Sequence, residues 1–189
     1  MRCAIRVQGA VQGVGFRPTV YRLALRAGLA GFVRNDGAGV FIEVEGPAPA
    51  VGRFPEVLRS GAPPLARIDA VEVSPLPARG ERAFRVEATA AGPRTRAAIP
   101  PDAATCEACL RELFDPADRR HRYPFINCTD CGPRYTIVRE VPYDRPGTTM
   151  AAFTLCAACR AEYEDPASRR FHAEPNACPA CGPRLALLG

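Results

Sequence analysis

Eight of the nine cysteines in this 189-residue chain lie in four Cys-x-x-Cys pairs. Each short pair can hold one edge of a metal tetrahedron, and 18 residues separate the first pair from the second and the third from the fourth. This spacing is typical of a four-thiolate zinc site. The sequence therefore predicts two Zn2+ ions, one bound by Cys106, Cys109, Cys128 and Cys131 and the other by Cys156, Cys159, Cys178 and Cys181.

Three alternatives for the cysteines stay open at this level. A secreted disulfide framework is disfavoured because no signal sequence is recognisable. Four thiolates also suit a rubredoxin-like iron centre. An interleaved arrangement, in which each metal takes one pair from each half, would use the same eight residues.

A glycine-rich loop at residues 11–17 is the second segment that could do chemistry, and we call it the glycine loop. Its sequence is Val-Gln-Gly-Val-Gly-Phe-Arg. Glycines let successive backbone N–H groups converge on one anion, and a terminal arginine adds a planar set of donors. A Gly-x-Gly alone is more often a tight turn, and neither a Walker loop nor a dinucleotide fingerprint is present. The predicted phosphate-binding residues are Gln12, Gly13, Val14, Gly15, Phe16 and Arg17.

The elements around the glycine loop predict an α+β fold. The hydrophobic pattern indicates a strand before the loop, a helix from Pro18 to Gly28, and a hairpin whose turn is Asp-Gly-Ala-Gly. A second helix is expected to begin its regular part at Pro55. The order is β-α-β-β-α-β, the ferredoxin-like arrangement, with its four strands expected at 2–9, 31–35, 40–45 and 67–74 and a short final strand at 83–87.

The second half of the chain contains an internal repeat with a period of 50 residues. Arg119-Arg120 matches Arg169-Arg170, and Cys-Gly-Pro-Arg occurs at 131 and again at 181. We therefore expect a first domain at 1–90, a linker at 91–98, and a tandem four-cysteine domain at 99–189 with repeats at about 104–137 and 154–187.

Charge and hydropathy exclude several classes of function. The formal net charge is +5, but eight metal-bound thiolates and two divalent ions would bring it to about +1. That is no electrostatic footprint for nucleic acid. No apolar stretch is long enough for a membrane span, so we expect a cytoplasmic protein with neither a nucleic-acid nor a membrane partner.

The glycine loop resembles that of the acylphosphatase family, which has the same heptapeptide and a ferredoxin-like fold. The resemblance implies that Arg17 holds the phosphoryl oxygens and that Asn35, at the end of the second strand, orients the attacking water. Without the loop, Asn35 before Asp-Gly would be interpreted as a turn residue. Ala10 departs from the arginine that small acylphosphatases often have there.

The two halves together resemble the HypF family of hydrogenase maturation carbamoyltransferases. The resemblance covers nearly the whole chain and includes Ile-Pro-Pro-Asp at 99–102, Arg-Arg-His-Arg-Tyr-Pro-Phe-Ile-Asn-Cys at 119–128 and Arg-Arg-Phe-His-Ala at 169–173. It implies hydrolysis of carbamoyl phosphate as the first step towards the cyanide ligands of [NiFe]-hydrogenase. Missing YrdC-like and Kae1-like domains would adenylate and transfer the carbamate to HypE. No nucleotide site is expected in this chain.

Two other functions stay open. The chain could be a zinc-dependent scaffold whose loop only binds phosphate or docks a partner. It could also be a stand-alone acylphosphatase, acting on another acyl phosphate, with no transferase role.

Overall fold

The computed structural model of the chain describes residues 1–89, 99–187 and 189. The linker predicted at 91–98 lies outside the described residues, so the domain boundaries stay a prediction. None of the helices in the described ranges combines the length and the apolar character needed to cross a membrane.

The first part of the chain is a five-stranded sheet with two helices, which confirms the predicted ferredoxin-like α+β class. The elements are β1 (Arg2–Ala10), α1 (Phe16–Arg26), β2 (Ala30–Asp36), β3 (Gly39–Glu45), α2 (Ala48–Ser60), β4 (Arg67–Leu76) and β5 (Phe84–Val86). The strand order in the sheet is β4-β1-β3-β2-β5. β1 pairs antiparallel with β3 and β4, β2 pairs antiparallel with β3, and β5 is parallel to β2.

The core of this part lies between the sheet and the two helices. Alternate residues of β1, among them Ile5 and Val7, are fully buried, as the period of two predicts. Val20 and Leu23 of α1 are buried at helical spacing on the same face. The glycine loop connects these two rigid elements, so its ends are held by the core.

The start of the second helix differs from the sequence-based expectation. Helix α2 begins at Ala48 instead of Pro55. Pro49 lies in the first turn, where a proline removes no helical hydrogen bond, and the burial of Val51 and Phe54 against the core outweighs the cost of Pro55 inside the helix. On β4, Val71 packs against the core, whereas Val73 is half exposed. β4 is an edge strand, so its side chains have a neighbouring strand on one side only.

The second part of the chain, residues 99–187 and 189, which we call the finger part, is folded around its cysteines. Helices α3 (Glu107–Phe114) and α4 (Ala157–Glu164) each begin directly after the first cysteine of a repeat. One buried cluster of this part consists largely of cysteines and a few apolar side chains, which is a small core for its length. Short 3₁₀ helices span Thr129–Cys131, Tyr135–Ile137, Arg145–Gly147 and Thr149–Ala152.

Candidate functional site

The glycine loop adopts the conformation that its glycines allow. Gly13 and Gly15 have φ of 73° and 74°, in the left-handed region that other residues avoid, and Gly15 is the N-cap of α1. Gln12 Nε2 donates to the carbonyl oxygens of Asp36 at 3.0 Å and Gly39 at 3.1 Å. These two bonds tie the glycine loop to the turn between β2 and β3.

Asn35 lies next to that turn, at the end of β2. Its side chain is buried, with 1 % of the residue exposed, and its Oδ1 has no hydrogen-bond partner among the described residues. A buried polar atom without a partner costs about 1–3 kcal/mol, so such an atom suits a site where a water binds. The structure thus connects the loop and the second predicted catalytic residue through Gln12.

Arg17 lies in the first turn of α1 and is almost fully buried. Its Nη2 donates to Asp144 Oδ1 at 2.8 Å and to Glu174 Oε1 at 3.0 Å. Both carboxylates belong to the finger part. No sequence motif had pointed to either of them.

The finger part also covers the backbone of the glycine loop. The backbone N–H of Tyr143 donates to Gln12 Oε1 at 2.9 Å. A Cβ added to Gly13 would lie 2.8 Å from Pro133 Cβ and from the ring of Tyr143, and one added to Gly15 would lie 2.9 Å from the Cβ of Thr129. The glycine loop therefore lies at the contact between the two parts of the chain.

Two polar side chains of the loop, Gln12 and Arg17, form hydrogen bonds with the finger part. Val14 and Phe16 are buried in the core of the first part. Their N–H groups, together with those of the glycines, are the donors that such a loop can offer to an anion.

Burial shifts the pKa values of two groups near Arg17, Glu174 and His172. Burial raises the pKa of Glu174 to about 7, although the Arg17 charge opposes this. Burial, helped by the Arg17 charge, lowers the pKa of His172 to about 4. His172 packs on the ring of Tyr163 with centroids 5.1 Å apart, so it belongs to the surroundings of this cluster.

The eight cysteines form two clusters, each within one repeat. In each cluster the four Sγ atoms lie within 4.8 Å of one another. The Sγ–Sγ distances include 3.6 Å for Cys106–Cys128, 3.9 Å for Cys128–Cys131, and 3.8 Å for both Cys156–Cys178 and Cys178–Cys181. A tetrahedron with Zn–S bonds of about 2.3 Å has edges of about 3.8 Å. The donor set therefore fits zinc, with Cys106, Cys109, Cys128 and Cys131 in one cluster and Cys156, Cys159, Cys178 and Cys181 in the other.

The two repeats exchange arginines across the finger part. Arg119 donates to Cys159 Sγ at 3.3 Å and pairs with Glu162 at 2.5 Å. At the positions 50 residues away, Arg169 donates to Cys109 Sγ at 3.1 Å and pairs with Glu112 at 2.5 Å. Arg120 and Arg170, the second arginine of each pair, likewise bind the glutamate of the other repeat.

The sequence repeat carried no specific signal for Asp144 or Glu174. Glu174 corresponds to Pro124 and its neighbour Tyr163 to Leu113, but the two copies differ at every position of 121–127 against 171–177. Asp144 lies between the two repeats, so it has no counterpart in them.

Two family models match the chain. The Acylphosphatase model matches residues 3–86, and the HypF finger model matches residues 105–138 and 155–188. The matched ranges contain the glycine loop, Asn35 and all eight paired cysteines.

Similar proteins fall into two groups of different length. A carbamoyltransferase HypF of Rhizobium leguminosarum bv. viciae is 58% identical over 151 residues, which are 79% of this chain and 19% of that protein. An acylphosphatase of Caldivirga maquilingensis is 46% identical over 77 residues, 40% of this chain and 80% of that protein. The chain spans about a fifth of the length of its HypF relative, and the acylphosphatase is too short to contain a finger part.

A solved structure covers all of this chain. It is a full-length HypF in a phosphate- and nucleotide-bound form, with a TM-score of 0.94, 44% identity and 25% of that chain covered. The HypF of T. kodakarensis matches 96% of this chain and 23% of its own, with a TM-score of 0.82 and 51% identity. The arrangement of the two parts is thus shared with HypF structures.

Proposed function

This chain belongs to the HypF family by its acylphosphatase domain and its paired HypF fingers, and on that premise we propose that it hydrolyses carbamoyl phosphate. The observation that carries the proposal is the glycine loop, which is tied by Gln12 to the strand end where the buried Oδ1 of Asn35 has no partner in the part of the chain that the structure describes. The loop amides and Arg17 suit a phosphoryl group, and a HypF relative with the same fold is in a phosphate-bound form.

In the proposed mechanism the catalytic residues are Arg17 and Asn35. The amides of residues 12–16 and the guanidinium hold the phosphoryl oxygens, and Asn35 orients a water in line with the bond to the carbamoyl oxygen. The water oxygen bonds to phosphorus as that P–O bond breaks. The water proton passes to a phosphoryl oxygen, so the products are carbamate and dihydrogen phosphate. Since carbamate is a good leaving group, positioning supplies the rate enhancement.

The two cysteine clusters are proposed to hold one Zn2+ each in a structural role. Four thiolates complete a tetrahedron and leave no open position for a substrate. Bound zinc would stabilise a part of the chain that has only a small apolar core. The finger part then also has a function at the site, because it packs against the glycine loop through Thr129, Pro133 and Tyr143 and keeps the loop in place.

Beyond this chain, the proposed reaction is the first step of a longer sequence. Carbamate would pass to YrdC-like and Kae1-like domains, which adenylate it and transfer the carbamoyl group to HypE for the cyanide ligands of [NiFe]-hydrogenase. A cytoplasmic location is part of the same proposal, since four-thiolate sites need reduced cysteines.

Phosphate release from carbamoyl phosphate by the zinc-loaded chain tests the proposal. We expect Arg17→Ala to lower turnover by at least ~10²-fold, by analogy with loss of an oxyanion donor. Exposed Arg26 at the other end of α1 provides a matched control, and Arg26→Ala should hydrolyse like the unaltered chain. Equal rates for Arg17→Ala and the unaltered chain would favour a scaffold that only binds phosphate. Faster turnover of other acyl phosphates would favour a stand-alone acylphosphatase.

A further inference from the structure

The finger part supplies two carboxylates to Arg17, and these restrict the side chain before any substrate arrives. Arg17 is 7 % exposed and Glu174 is 1 % exposed, so water competes little for the bonds between them. An arginine side chain loses much rotamer entropy when it is held in one conformation. Asp144 and Glu174 offset that cost in the free protein.

The carboxylates are themselves held in place. Glu174 Oε2 accepts from the hydroxyl of Tyr163 at 2.7 Å and from the backbone N–H of Arg145 at 2.8 Å. Asp144 Oδ2 accepts from the hydroxyl of Thr89. Tyr163 belongs to α4, the helix that begins directly after Cys156. A continuous series of contacts therefore leads from a cysteine cluster to Arg17.

Both carboxylates bind the same nitrogen of Arg17. A guanidinium carries five N–H donors in one plane, and the bonds to Asp144 and Glu174 use Nη2. They fix the plane of the group without using the donors on Nε and Nη1. This is the arrangement expected of residues that orient an arginine for a further anion.

We propose that Asp144 and Glu174 are positioning residues that orient Arg17 for the phosphoryl group, so that the finger part completes the acylphosphatase-type site. The inference rests on the proposed function. Neither carboxylate touches the substrate, because each acts through the guanidinium. Short acylphosphatases have no room for a finger part, so this dependence is a property of the longer chain.

The charge of the cluster is compatible with an anionic substrate near neutral pH. The charged and titratable groups facing Glu174 are Arg17, Asp144, Arg145 and Tyr163. Burial raises the pKa of Glu174 to about 7, which favours its neutral form near neutral pH. Its repulsion of a phosphoryl group is correspondingly reduced, and it should increase as pH rises above 7.

The test compares carbamoyl phosphate hydrolysis by the zinc-loaded chain and its variants. We expect Glu174→Ala and Asp144→Ala each to lower kcat by roughly 10- to 100-fold, the range for a displaced positioning group, with a smaller change in KM. Glu164 is an exposed glutamate of the same helix that carries Tyr163. Glu164→Ala is the matched control and should leave kcat unchanged.

An unchanged kcat in both carboxylate variants would overturn the inference. A higher kcat, or tighter inhibition by inorganic phosphate, would also overturn it, since the carboxylates would then be blocking Arg17. Zinc content and circular dichroism establish whether each variant is folded. If Glu174→Ala does not fold, Glu174→Gln tests the inference instead. In this variant the decline in kcat/KM that we expect above pH 7 should be absent. A pH dependence of kcat/KM identical to that of the unaltered chain would contradict a role for Glu174.

These results separate the inference from the function on which it rests. An inactive unaltered chain, loaded with zinc, overturns both. An active chain that loses turnover in Arg17→Ala but keeps it in the carboxylate variants overturns only the positioning role.

Discussion

Arg119 of the first finger repeat lies 3.3 Å from the Sγ of Cys159 in the second repeat. Its counterpart Arg169 lies 3.1 Å from the Sγ of Cys109 in the first. Four thiolates and one zinc ion carry a net charge of −2, which a guanidinium from the other repeat partly neutralises. Each cluster is thus stabilised by a side chain that its own repeat does not provide.

This exchange predicts that metal binding by one repeat depends on the other. Arg169→Ala should lower the zinc affinity of the Cys106–Cys131 cluster by roughly 10- to 100-fold, the range for loss of a group that binds a metal ligand. Competition with a chromophoric chelator measures this affinity. Arg160→Ala, which removes an exposed arginine of α4, is the control. If Arg169→Ala weakened zinc binding only at the second cysteine cluster, which belongs to the same repeat as Arg169, the predicted dependence of one repeat on the other would be contradicted.

Removing zinc should abolish hydrolysis although no zinc touches the substrate. The residues that cover the glycine loop and pair with Arg17 belong to the finger part, which we expect to unfold without metal. Treatment with a chelator should therefore lower carbamoyl phosphate hydrolysis at least about tenfold, as measured by phosphate release. A short acylphosphatase given the same treatment is the control. Full activity of the metal-free chain would show that the acylphosphatase part works alone.

Asn35→Ala should separate binding from turnover. Arg17 and the loop amides remain, so inorganic phosphate should inhibit with unchanged affinity, whereas kcat should fall by roughly 10²- to 10³-fold because the water is no longer oriented. Competitive inhibition by phosphate and single-turnover hydrolysis measure the two effects. Parallel losses of phosphate affinity and kcat would assign Asn35 to substrate binding.

Gly13→Ala should destabilise the chain through both conformation and contact. A left-handed φ costs a residue with a Cβ about 1–2 kcal/mol, and the added atom would meet Pro133 and Tyr143 at 2.8 Å. Crowding of this kind typically adds 1–3 kcal/mol. Urea unfolding measures the sum.

Two other glycines provide controls for this variant. Gly28 has φ of 65° and nothing near its Cβ position, so Gly28→Ala should show the conformational cost alone. Gly52 lies inside α2 with open space around it, and Gly52→Ala should stabilise by about 0.5–1 kcal/mol. If Gly13→Ala lowers the free energy of unfolding no more than Gly28→Ala does, the finger part does not crowd the Cβ position of Gly13.

Glu174→Gln should remove a pH dependence of stability. The folded-state pKa of about 7 exceeds the ordinary value of 4.5, so the folded chain binds more protons between these values. Stability of the unaltered chain therefore falls as pH rises from about 4.5 to 7, by up to about 3 kcal/mol. Urea unfolding is measured from pH 5 to 8. As the pH rises, the unfolding midpoint of Glu174→Gln should increase relative to that of the unaltered chain. A difference independent of pH would mean that Glu174 is ionised throughout.

Local patterns were sufficient for much of the fold. Ile5 and Val7 alternate on a strand, Val20 and Leu23 repeat at helical spacing, and Asp-Gly-Ala-Gly forms the turn between β2 and β3. The start of α2 was wrong, because Pro55 argues locally against a helix whereas the burial of Val51 and Phe54 outweighs that cost. Tertiary packing regularly overrides such local preferences.

Residues close together in the chain could be recognised from their spacing alone. The cysteine pairs, the glycine loop with Arg17, and Asn35 at a strand end are recognisable because spacing along the backbone sets their geometry. The packing of the folded chain was needed to show that Asp144 and Glu174, 127 and 157 residues away, bind Arg17, and that arginines of each repeat bind groups of the other. Such contacts join residues that are far apart in the chain, and no local spacing encodes the distance between them.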